Sequence, residues 1–123
     1  YIWVNTRGRN EVYSSNFRDA FKGLDTAKYT VLLSHSPKII DEIKDMPADL
    51  ILSGHTHGGQ VRLPIVGSLV SPDGQYFPEI DKGLYKLKNG SSLYIDSGLG
   101  TSIYPVRLFN RSQMTLITIK VQE

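Results

Sequence analysis

Apolar positions along this chain fall in short blocks, and the spacing within each block predicts its element. Tyr1, Ile2, Trp3 and Val4 form an unbroken run that predicts a strand, closed by Asn5 and the turn-prone Arg7-Gly8-Arg9-Asn10. From Ser14 to Leu24 the period changes. Phe17, Ala20, Phe21 and Leu24 recur at helical spacing, Ser15 or Asn16 is placed to cap, and Gly23 stands near the end. Tyr29 to Leu33 predicts a buried strand that ends at Ser34-His35. Ser36 as N-cap and Pro37 in the first turn then open a helix whose apolar stripe is Ile39, Ile40 and Ile43, running to about Met46. Pro47-Ala48 breaks it, and Asp49 to Ser53 predicts a second buried strand. Two apolar strands joined by one short helix form a β-α-β unit, which predicts parallel pairing with a right-handed crossover.

Beyond Gly54 the pattern loses its period. Residues 54–82 are rich in glycine and proline and read as one long structured loop region, a length that in small domains usually carries function or is disordered. Gly83 to Leu87 and Ser92 to Ile95 flank Asn89-Gly90, which predicts a hairpin. Val106 to Phe109 and Met114 to Val121 predict two further strands, so the part after residue 82 reads as antiparallel β. No repeat or linker divides the chain, and residues 1–123 read as one domain or one piece of one. Opening in mid-strand on Tyr1 rather than on methionine, the chain reads as a fragment or processed product of something longer.

Composition changes this picture little but excludes several classes. The 123 residues are 40% apolar and 21% charged, as in ordinary folded domains and unlike disordered chains. No apolar run approaches the ~20 residues of a membrane-spanning helix. A net charge of +2 from scattered Lys and Arg gives no nucleic-acid patch. With no cysteine, any metal must be held by His, Asp, Glu or Asn, and the compartment stays open.

The candidate chemistry lies in the histidines. His35 directly follows the first strand of the β-α-β unit, and His55 follows the second, with His57 two positions on. In open α/β sheets ligands gather outside the carboxyl ends of parallel strands, and adjacent strands lie about 4.8 Å apart. All three histidines of the chain therefore fall at one edge of one unit, and Gly54, Gly58 and Gly59 allow the tight turn that presents them. Taken alone, His35 reads more readily as a polar loop residue or a helix cap than as a ligand. The set reads as neutral imidazoles for a transition metal.

Leu33-Ser34-His35-Ser36-Pro37, followed by Ser53-Gly54-His55-Thr56-His57-Gly58-Gly59-Gln60, resembles the last two motifs of the calcineurin-like metallophosphoesterases. With Ser97-Gly98-Leu99-Gly100-Thr101-Ser102 and Pro105-Val106-Arg107 downstream, it looks like the bacterial subgroup of membrane-associated phosphodiesterases and UDP-diacylglucosamine hydrolases. The likeness runs from about Thr30 to Ile119. It implies the C-terminal half of a four-layer α/β/β/α sandwich. It also implies a centre of two divalent metals, Mn, Fe or Zn, hydrolysing phosphate mono- or diesters. His35 and His55 resemble ligands of one metal and His57 a ligand of the other, which makes His55 and His57 the candidate catalytic residues. Two metals about 3.5–4 Å apart clamp a phosphate and activate water for in-line attack. The family's earlier motifs, an Asp-x-His pair, a bridging Asp and an Asn-His pair, are absent, and residues 1–29 hold no histidine. The parent is then expected to be a bacterial-type protein, cytoplasmic and membrane-associated.

Weaker candidates each keep two readings. Gln60 and the amides of Gly58 and Gly59 either contact a substrate phosphate or only serve the turn. Asp96 either orients a ligand histidine or caps a turn. Arg107 either binds phosphate bidentately or forms a surface salt bridge, the latter slightly favoured. Tyr76, Phe77 and Pro78 either form an apolar lip for a lipid-bearing substrate or, the favoured reading, anchor their own loop. Trp3 reads as core. The alternative to an enzyme part is an inactive fragment, a partial metal-binding or self-associating module with a sheet edge and an apolar face uncovered.

Overall fold

The structure is a computed structural model that describes residues 19–41, 47–102 and 105–121. The strand expected at residues 1–4, Trp3 and most of the helix expected from Ser14 lie outside these residues. The described elements are β1 (Val31–Ser34), a 3-10 helix over Pro37–Asp41, β2 (Leu50–Ser53), a 3-10 turn over His57–Gly59, β3 (Arg62–Leu63), β4 (Gly67–Ser68), β5 (Gly83–Lys86) and β6 (Ser92–Ile95).

β1 and β2 pair in parallel from Val31 opposite Leu50 to Ser34 opposite Ser53, as the β-α-β pattern predicts. Ser36 caps the connecting helix by accepting from the Lys38 amide at 3.3 Å. The described part of that helix is tighter than the α-helix expected there. Such 3-10 turns are common at helix starts, and Pro37 contributes no amide to the ladder. Residues 42–46 fall outside the described set.

The β5–β6 hairpin forms as expected, with Gly90 at φ +92° in its turn. Alternation alone does not reveal that β6 also pairs in parallel with β2, which gives a mixed sheet in the order β1-β2-β6-β5. The part after residue 82 is thus not purely antiparallel. The row Leu32–Ile51–Leu93–Tyr85 crosses the sheet on one face. With Ile95, Ala48, Phe21, Ile39, Ile40, Ile80 and Leu87 it makes the core.

The neighbouring row, Leu33–Leu52–Tyr94–Leu84, faces the other way. Its ends are bare, Leu33 being 65% and Leu84 64% exposed. Tyr29 to Leu33 is therefore not the buried strand expected but a sheet edge. An apolar run cannot distinguish burial from an edge whose second face is uncovered.

Val106 to Phe109 contributes only a bridge from Leu108 to Val61, and Met114 to Val121 forms no described strand. Alternation marks a segment suited to half-burial, but a strand also needs a neighbour for its backbone groups. Likewise the described residues make one mixed sheet, one two-stranded hairpin and short helices, not four layers. No helix among them is long and apolar enough to cross a membrane.

Candidate metal centre

Three adjacent strands, β1, β2 and β6, end on one edge, and the residues after each end build the site. His35 follows β1, and its carbonyl accepts from the Gly54 amide and the Ser53 hydroxyl, both at 3.3 Å, tying the two strand ends together. The His35 and His55 rings lie side by side, with centroids 4.6 Å apart and planes tilted by 54°. His57 turns toward the loop after β6, where Nδ1 lies 3.3 Å from the Gly100 carbonyl. A carbonyl only accepts, so a hydrogen bond here requires the proton on Nδ1, which leaves the Nε2 lone pair open. Among the described residues no three of His, Asp or Glu gather into one metal-holding cluster. His35 pairs with His55, and His57 stands apart.

The turn that carries these rings is conformationally unusual. His55 (φ +67°), His57 (+49°) and Gln60 (+43°) all adopt the left-handed side of the map, as do Gly58 and Gly59 between His57 and Gln60. For L residues this costs roughly 1–2 kcal/mol each, and it persists only where surrounding contacts impose it.

Those contacts come from far along the chain. The Thr56 hydroxyl donates to the Asp81 carbonyl at 2.6 Å and accepts from the Gly58 amide at 3.3 Å. Arg62 Nη1 donates to the Gly58 carbonyl at 3.0 Å and to Asp81 Oδ2 at 2.5 Å. Asn110 Nδ2 donates to the His57 carbonyl at 2.6 Å. Thr56, Arg62, Asp81 and Asn110 thus fasten the histidine turn, and sequence reasoning assigned none of them this role. Only Thr56, inside the motif, carried a local signal. Asp81 beside Gly83 reads as an ordinary turn residue until the fold brings it to Thr56.

Asp81→Asn should destabilise the chain by about 2–3 kcal/mol in urea unfolding, because Arg62 loses its counter-charge in a largely buried place. An unchanged midpoint would remove the brace.

Burial, then the electrostatic effect of His35 beside it, lowers the His55 pKa from its ordinary 6.5, which favours the neutral imidazole. Beside His55 opens a cavity of about 410 Å³ whose walls include Ile40, Phe77, Pro78 and Ile80. A Lys38–Asp73 ion pair lies at the same cavity. Burial pushes the Asp73 carboxyl up, but hydrogen bonds from Lys38 and Ser71 outweigh it and hold the group below the usual carboxylate value.

Tyr76 (77% exposed) and Phe77 (61%) do not anchor their loop, contrary to the favoured reading. The amides of Gly58 and Gly59 are engaged by Thr56, the side-chain amide of Gln60 donates to the Val106 carbonyl at 3.3 Å, and Gly58 and Gly59 are buried. That geometry favours the turn reading of the glycines. Asp96 caps its turn, Oδ1 accepting from the Gly98 amide at 2.6 Å, and it contacts no histidine among the described residues. Arg107 forms no ion pair among them. Instead its Nε and Nη2 bond the carbonyls of the loop after β6, while Nη1 is buried with no hydrogen-bond partner among the described residues.

Comparison with known proteins places this geometry in context. The chain is 32% identical to an uncharacterized metallophosphoesterase of Bacillus subtilis, over 85% of its own length and 36% of that protein. Identity is 39% with an uncharacterized metallophosphoesterase of Aquifex aeolicus, over 83% and 37%. It is 31% with the UDP-2,3-diacylglucosamine pyrophosphatase of Chlamydia trachomatis, over 79% and 32%. The chain thus spans about a third of the length of the curated relatives it matches. No family model matches it, and no solved structure does so at a significant level.

Proposed function

We propose, from the premise that this chain is a relative of the metallophosphoesterases, that the whole protein hydrolyses phosphate esters with divalent metals and that this chain supplies three of the ligands. The observation that carries the reading is the placement of His35 and His55 just past the ends of neighbouring parallel strands, with His55 and His57 on a turn held in a costly conformation. The donor set suits the group. His35 and His55 form a pair for one metal, and His57, with Nδ1 on a carbonyl, presents Nε2 to the other. Two bound divalent ions, Mn, Fe or Zn, would polarise phosphate oxygens and ease ionisation of the attacking water. The chain's own part is to keep His55 neutral and to fix the ring orientations. Among the described residues no Asp or Glu gathers with these histidines into a metal-holding cluster.

The substrate reading is a phosphomonoester or phosphodiester. The chlamydial relative is named for a diacylated sugar nucleotide. An apolar group of that kind would lie along exposed Phe77 and half-buried Pro78 beside His55, and a membrane-associated parent fits such a substrate.

Calorimetric titration of the chain with zinc tests the ligand set. Weak or single occupancy is expected at pH 7.5, removed by His35→Ala or His55→Ala, whereas two tightly held metals per chain would contradict the reading. Since the His55 pKa lies below 6.5, affinity should hold from pH 8 toward 6.5 and fall as pH drops further, when protons compete for the ring. An affinity that rises on acidification would count against imidazole ligands.

A second reading, self-association of the isolated chain, is favoured by the bare row ending in Leu33 and Leu84. Sedimentation as a monomer throughout the micromolar range would remove it.

A further inference from the structure

The loop that follows β6 meets the histidine turn at one atom, the carbonyl oxygen of Gly100. That oxygen lies 3.3 Å from His57 Nδ1. It also accepts from Arg107, from Nε at 2.8 Å and from Nη2. The same Nη2 donates to the Ser97 carbonyl at 2.7 Å and the Gly98 carbonyl at 3.1 Å. The guanidinium therefore sits inside the curl of residues 97–100 and draws three carbonyls toward one point. Carbonyl dipoles aimed together repel one another, and a cation with donors in a fixed fork is what makes the arrangement tolerable. Gly100 is exposed and belongs to no strand or helix, so no ladder fixes its carbonyl. Arg107 does.

We propose that Arg107 is a positioning residue for His57. By holding the Gly100 carbonyl in place it keeps the imidazole proton on Nδ1 and turns Nε2 outward as the ligating nitrogen. The functional meaning rests on reading His57 as a metal ligand, whereas the tautomer does not. A free imidazole prefers the proton on Nε2, so the Nδ1–H form needs a fixed acceptor to persist. Carbonyls behind ligating histidines commonly serve this purpose. Here the acceptor belongs to a loop with no regular structure, and a side chain seven residues further on fixes it.

The test is a long-range proton–nitrogen correlation spectrum of the histidine rings in the metal-free chain at about pH 8. The chain should be isotope-labelled, with zinc as the metal probe afterwards. His57 is expected in the Nδ1–H form. Arg107→Gln, with two donors and no charge, and Arg107→Lys, whose ammonium lacks the planar fork that grips the Gly100 carbonyl through Nε and Nη2 together, should shift it toward the Nε2–H form and weaken zinc binding at the His57 ring about 10- to 100-fold. The His35 and His55 ring signals should stay in place, which a general loss of structure would not allow. A wild-type His57 in the Nε2–H form overturns the proposal, even if both variants fail to fold. So does an Nδ1–H form unchanged in both variants. If the tautomer responds to Arg107 but zinc leaves the His57 ring unperturbed, the ligand reading fails and the positioning role stands.

Discussion

In the complete catalytic domain, His55→Ala is expected to lower manganese-dependent hydrolysis of a chromogenic phosphodiester by more than about 100-fold. His55 occupies the middle of the site. It pairs with His35 across the β1–β2 ends, and two positions on lies His57, which reaches to the loop after β6. Its loss would break the pair proposed to serve one metal, and a phosphate held by a single ion would lose half of its clamp. Alanine also favours φ below zero, so the turn would relax out of the conformation His55 holds at +67°. The defect should therefore persist at saturating manganese rather than being titrated away. Full activity in the variant would sink the assignment.

The second large effect is expected at Gly59, measured as stability. A Cβ added there would lie 1.6 Å from the Ser68 hydroxyl oxygen and 2.4 Å from its Cβ, at φ +72°. Ser68 is buried in β4, its amide donates to Asp81 Oδ2 at 3.1 Å, and it has nowhere to move without disturbing the brace. Overpacking and the left-handed backbone together should make Gly59→Ala cost about 3–5 kcal/mol in urea unfolding. Gly90→Ala is the control. Its φ is equally positive, but nothing lies within 4 Å, so only the backbone cost of about 1–2 kcal/mol remains. Equal effects at both sites would show that close approach to Ser68 does not limit the turn.

Local pattern and long-range placement divide what could be read from the chain. The β1–β2 unit, the β5–β6 hairpin and the histidines at the strand ends are local patterns. Their periods, caps and turn residues lie within a few positions of one another, so they were legible. The insertion of β6 beside β2 was not, because Leu93 and Ile95 alternate in the same way whether their strand is central or at an edge. Val106 to Phe109 and Met114 to Val121 misled for the related reason that alternation names no partner. At the site, the motif residues were visible, but Asp81 and Asn110 were not. Each matters for which backbone atom it reaches across the fold, and a single sequence holds no record of that. Arg107 was visible as a cation, and only the carbonyls around it show that it serves the loop.

The fastenings of the histidine turn reach it from Asp81, 25 positions past Thr56, and from Asn110, 53 positions past His57. Closing such long loops is entropically costly before any contact rewards it. The turn is therefore expected to take shape late in folding, and substitutions at Asp81 or Asn110 should mainly speed unfolding while leaving the folding rate nearly unchanged in stopped-flow kinetics. On this order the proposed metal ligands come together only when most of the described chain is in place.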